Sequence, residues 1–140
     1  MEPELFSLLD KIRKHLKVKV PASFILDSST DESSRLKVKD NGYEIVINMN
    51  QCRTTRDFVF IAAHELANLK QHLNNQGILK DYDSSSPKNY RLSKREWEAD
   101  EEAIETTRNM SYENKIINKK VPSLFLEVMT LRGEYGKIDI

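Results

Sequence analysis

The residues with chemistry in this chain begin at His64-Glu65, inside the apolar run Phe60-Ile61-Ala62-Ala63-His64-Glu65-Leu66-Ala67-Asn68. In the pattern H-E-x-x-H, two imidazoles stand at i and i+4 on one helix face. Both can then bind one Zn²⁺, and the Glu beside the first His polarises the metal-bound water. His64 stands in the place of a metal ligand and Glu65 in that of the general base. The second histidine position holds Asn68. An amide oxygen is neutral and weakly basic, whereas zinc sites use imidazole, thiolate or carboxylate, so Asn68 is a poor ligand. Zinc is therefore expected to bind weakly or not at all. His72 does not repair the deficit: eight residues beyond His64, it lies ~12 Å further along the axis, out of reach of an ion bound at ~2 Å.

Downstream lies Glu96-Trp97-Glu98-Ala99-Asp100. Glutamate-type zinc hydrolases draw their third ligand from a later helix reading E-x-x-x-D. Glu96 fits that ligand. Asp100, one turn on, fits the carboxylate that accepts from the far nitrogen of a ligand histidine and fixes its tautomer. Glu98 is the ligand if the register is shifted, although it points to another face. A second role is open for Glu96, because Ser93 three residues earlier makes a capping-box pattern. For one ion to join them, the His64 ring and the Glu96 carboxylate must lie within ~8 Å.

Taken in order, Tyr43–Asn48, Phe58–Asn68 and Glu96–Ala103 resemble the ImmA/IrrE-type family of small metallopeptidase domains. That family shows a strand, a helix with H-E-x-x-H, a variable loop, and a helix reading E-x-E-A-(N/D)-x-x-A. The resemblance implies a small zincin-like α+β fold, with helices packed on a short, mainly antiparallel sheet. It also implies a sheet edge at Tyr43, Ile45 and Ile47 that pairs with extended substrate. The other reading of this strand is that it merely closes a small sheet. The chain departs from the family at Asn68, and again where Ile104-Glu105-Thr106-Thr107 replaces the usual apolar run after the second motif.

Several elements must position these residues. Leu5, Phe6, Leu8, Leu9, Ile12 and Leu16 predict an amphipathic helix over 4–17, with Pro3 suited to its first turn. A short apolar segment, Ala22 to Leu26, follows. Leu36 and Val38 alternate with lysines, and Tyr43, Ile45 and Ile47 with Glu44, Val46 and Asn48. Asn41-Gly42 between them predicts a hairpin turn in which both residues take positive φ. Thr54 or Thr55 caps the next helix, Asp57 adds charge to its first turn, and Gly77 ends it. Phe58, Ala62, Leu66, Leu69 and Leu73 form its apolar seam, with His64 and Asn68 ~40° apart beside it. Residues 77–92 read as a mobile polar loop. Pro122 starts a last helix that Gly133 ends. No downstream histidine follows to stabilise an oxyanion; Tyr82, Tyr90 and Tyr112 are the candidates for that role.

At 140 residues the chain predicts one domain, 1–140. Its charges balance to zero, which favours neither nucleic acid nor an anionic membrane as partner. One cysteine, Cys52, excludes an internal disulfide framework and fits a reducing compartment. With no signal-peptide pattern and no apolar run of spanning length, the expected location is cytoplasmic. Two functions are consistent with these residues. One is a protein- or peptide-binding regulator that lacks efficient catalysis. The other, implied by the resemblance, is a zinc-dependent metalloendopeptidase that cleaves a regulatory protein such as a repressor.

Overall fold

Leu5, Leu8, Leu9 and Ile12 recur at helical spacing, and they are the buried residues of α1 (Glu2–His15). Glu2 and Glu4 in its first turn and Arg13, Lys14 and His15 in its last oppose the helix dipole favourably. The chain leaves α1 through Lys17 at φ 60°, and the Arg13 guanidinium then donates to the carbonyls of Val18 and Val20. This grip aims the chain into the first strand. The computed structural model describes residues 2–29, 31–74 and 94–136. The expected loop 77–92, Gly77, Ser93, Tyr82 and Tyr90 lie outside them.

The strands are β1 (Ala22–Asp27), β2 (Arg35–Lys39) and β3 (Gly42–Asn48), in the order β1-β3-β2. β3 pairs parallel with β1 and antiparallel with β2, so the sheet is mixed rather than mainly antiparallel. The hairpin turn is also displaced by one residue. Lys39 pairs with Gly42, which leaves Asp40 and Asn41 as the two-residue loop, and only Gly42 takes positive φ, at +151°. A Cβ on Gly42 would stand 3.1 Å from the Pro21 carbonyl oxygen, the same oxygen that accepts from Tyr43 N. The glycine is thus demanded twice, by its positive φ at the end of the turn and by contact with the approach to β1.

α2 (Thr55–Asn74) is the centre of the molecule. Every residue from Asp57 to Leu69 is buried, so the seam expected on one face is instead a helix enclosed all round. α1, β3, α3 (Lys94–Asn109) and α4 (Leu124–Gly136) all pack on it. Its start is not capped by a threonine side chain in the expected way. Thr55 Oγ1 exchanges hydrogen bonds with the backbone of Lys115, and Thr54 Oγ1 has no hydrogen-bond partner. Asn114 Oδ1 accepts from Arg56 N instead, and Asp57 Oδ2 from Arg53 N and Thr54 N. The other oxygen of Asp57 accepts from Ser123 Oγ and Phe125 N at the start of α4. One buried carboxylate therefore ties two helix N-termini together. α4 runs through Gly133 rather than stopping at it.

Among the described residues this is an α+β fold of four helices on a three-stranded sheet, and no helix is long and apolar enough to cross a membrane.

Candidate functional site

α3 turns one stripe toward α2: Glu96, Ala99, Asp100, Ala103, Ile104 and Thr107 are buried at i, i+3 and i+4 spacings. Ala99 and Ala103 are nearly devoid of exposed surface, so their small side chains let the helix backbones come close. Glu96 and Asp100 are one turn apart on this stripe, and His64 of α2 lies between them. His64 Nε2 is 2.8 Å from Glu96 Oε2, and Nδ1 is 2.8 Å from Asp100 Oδ1. The side chains are 6%, 1% and 1% exposed, so these contacts are shielded from water. Two further links flank them: Gln71 Nε2 donates to Arg95 O at 2.9 Å, and Lys70 pairs with Glu102.

Burial opposes a charge on the His64 ring. The hydrogen bonds and charges of Asp100 and Glu96 outweigh it and raise the imidazole from its ordinary 6.5 to about 10. Each ring nitrogen faces a carboxylate oxygen at 2.8 Å, and two such neighbours favour the charged imidazolium. Phe60 packs beside it, with ring centroids 6.2 Å apart, and meets Phe125 of α4 edge-on at 5.7 Å. Neither Phe60 nor Phe125 is marked out by its place in the sequence. Their positions relative to the imidazole depend on how α4 crosses α2.

The other expected site residues divide clearly. Glu65 and Asn68 are buried on α2, and Asn68 Oδ1 has no hydrogen-bond partner. Glu98 is exposed on the far face of α3, facing Lys94, which removes the shifted-register alternative. The substrate edge is corrected. Tyr43, Ile45 and Ile47 lie on the central strand, paired on both sides, so β3 has no free edge for an added peptide. Among the described residues the sheet's edges are β1 and β2, because β1 enters parallel to β3 on the side away from the hairpin. Ile45 and Ile47 are wholly buried, and Tyr43 meets the His72 ring edge-on at 5.8 Å. His72 is accordingly half-buried rather than a surface group. Tyr112 donates its hydroxyl to Thr107 O near the opposite end of α3 from Glu96, away from the oxyanion role considered for it. Cys52 is buried; burial, and then the charge of Asp57, push its thiol up, so it stays protonated.

A zinc ion can be tested against these donors. Tetrahedral coordination with bonds of ~2.05 Å holds two ligand atoms ~3.3 Å apart. His64 Nε2 and Glu96 Oε2 are closer than that, at direct hydrogen-bonding distance. The remaining donor at the required helical position is the neutral amide of Asn68. Among the described residues, no group of three or more His, Cys, Asp or Glu side chains is arranged to hold a metal ion. The mismatch lies in donor chemistry: where zinc draws a second imidazole from this helix, the chain offers only the Asn68 amide. The Asp100–His64 contact, in contrast, has the form of the carboxylate–histidine pair that orients ligand imidazoles in metal sites.

No family model, curated protein or solved structure matched the chain in the comparisons made.

Proposed function

We propose that this chain is a zincin-like domain of the ImmA/IrrE type whose metal site is impaired, working in the cytoplasm as a protein-binding regulator without efficient catalysis. The observation that carries the reading is Asn68. It is buried one turn beyond His64, where the chemistry requires an imidazole, while both nitrogens of His64 are engaged by carboxylates. A framework that keeps its helices but lacks a ligand retains the capacity to recognise a protein without the power to hydrolyse it. An extended peptide would have to approach along β1 or β2, the strands with one unpaired side among the described residues.

The test is metal retention and hydrolysis. Protein purified without chelator should lose its zinc on dialysis against a moderate chelator and should leave an unfolded protein substrate uncut. A partner captured from cells should bind wild type and Glu65→Gln equally. Stoichiometric zinc surviving that dialysis, with cleavage that Glu65→Gln abolishes, would reverse the reading.

The second reading is a zinc-dependent metalloendopeptidase that cleaves a regulatory protein such as a repressor. The Asp100–His64 contact favours it, since a carboxylate orients the imidazole as a metal ligand needs. It requires Asn68, or a group outside the described residues, to complete the ligand set.

A further inference from the structure

We infer that Glu96, His64 and Asp100 form a direct, metal-independent cross-link between α2 and α3, taking the place a metal ion would hold at that junction. The inference rests on the reading of an impaired metal site and gives the residues of that site a different task.

The geometry supplies the first reason. A ring from the middle of α2 is held at both nitrogens, each at 2.8 Å, by two carboxylates one turn apart on α3. Such a clasp fixes the position of α3 along α2 as well as its distance, because a slide of one residue along either helix separates both pairs at once. A metal bound at Nε2 would take the place of the direct contact between that nitrogen and Glu96. Asn68 would offer the ion only a neutral oxygen in return.

The second reason lies in what else joins the two helices. The apolar part of the α3 stripe is Ala99, Ala103 and Ile104, which gives close approach but little bulk. The Lys70–Glu102 pair is about one-third exposed at each side chain and is weakened by solvent. Gln71 to Arg95 O is a single neutral hydrogen bond. The triad is the wholly buried link of the three, where hydrogen bonds to charged groups are least screened. Buried carboxylates facing no donor would be strongly unfavourable, so α2 and α3 are held to the one packing that brings His64 between them.

The experiment uses the full chain. Its thermal midpoint should move by no more than ~1 °C on adding EDTA or equimolar zinc, since neither removes nor supplies a ligand of the folded state. Nitrogen-15 spectra of the unmodified protein should show two exchange-protected ring N–H groups on His64. His64→Ala should lower the midpoint by roughly 10 °C, with EDTA again without effect. If that variant does not fold, Glu96→Gln keeps an acceptor for Nε2–H and should lower the midpoint by only a few degrees, insensitive to EDTA. One ring N–H on His64 with no effect of EDTA would overturn the cross-link and leave the impaired-site reading intact. Stoichiometric zinc that removes the Nε2–H resonance and raises the midpoint would overturn both.

Discussion

Asn68→His restores the imidazole that the zinc motif requires. Asn68 is 3% exposed and its Oδ1 has no hydrogen-bond partner, so the substitution removes no hydrogen bond accepted by that oxygen. The ring is larger than the amide, and overpacking a buried position costs about 1–3 kcal/mol. The metal-free variant should therefore unfold ~3–9 °C below the wild type, at ~3 °C per kcal/mol for a domain of this size. Zinc changes the comparison. Opening His64 Nε2–Glu96 Oε2 from 2.8 Å to the ~3.3 Å of tetrahedral coordination is a side-chain adjustment of half an ångström. Asp100 already holds Nδ1, which leaves Nε2 to face the ion. Two imidazoles and a carboxylate would then bind zinc, and at a free concentration 100 times its Kd the metal adds ~2.7 kcal/mol, a rise of ~8 °C. The assay is thermal unfolding of each protein with EDTA and with zinc, together with metal content after gel filtration. About one equivalent is expected in the variant. Its affinity should increase with pH because binding expels the proton on Nε2. Adding Glu65→Gln should leave the zinc in place and remove any hydrolysis gained. A folded Asn68→His protein whose midpoint ignores zinc would refute the reasoning, for residue 68 would then not face the gap between His64 and Glu96.

The remaining predictions concern stability. His64 is raised in the folded state from 6.5 to about 10, so its contribution is complete below pH ~6.5 and is lost as pH climbs through ~10. Wild-type stability to urea should fall over that interval by up to ~1.4 kcal/mol per pH unit, and a chain with His64→Gln should lose that slope. Asp57→Ala strips the acceptor from Arg53 N, Thr54 N, Ser123 Oγ and Phe125 N and should cost about 3–5 kcal/mol in urea unfolding, with Asp57→Asn costing less. Gly42→Ala sets a Cβ 3.1 Å from Pro21 O at φ +151° and should cost at least ~1 kcal/mol, whereas Gly133→Ala, with open space around it, should be neutral or stabilising by a few tenths.

What the sequence determined by itself is local. The four-residue spacing of Glu96 and Asp100 puts two carboxylates on one helix face, and that of His64 and Asn68 puts an imidazole and an amide on one face of another. Helix periodicity alone makes both statements, because 3.6 residues per turn is independent of what packs nearby. The hairpin between β2 and β3 was legible for a similar reason, as was the poverty of Asn68 as a ligand, which is a property of its amide. Tertiary structure decided the rest. β3 became a central strand because β1, distant in sequence, pairs with it in parallel, and no local pattern in Tyr43–Asn48 encodes that partner. The same approach of β1 adds the contact with Pro21 to the positive φ that already favours glycine at position 42. Asp57 reads in sequence as a first-turn acid, yet it binds two helix N-termini because residues 66 and 68 positions further on fold back onto it. The two nitrogens of His64 meet two carboxylates only because Ala99 and Ala103 allow α3 to lie close against α2. Spacing along one helix sets which groups share a face; which faces meet is set by long-range packing, and that is where the character of this site was decided.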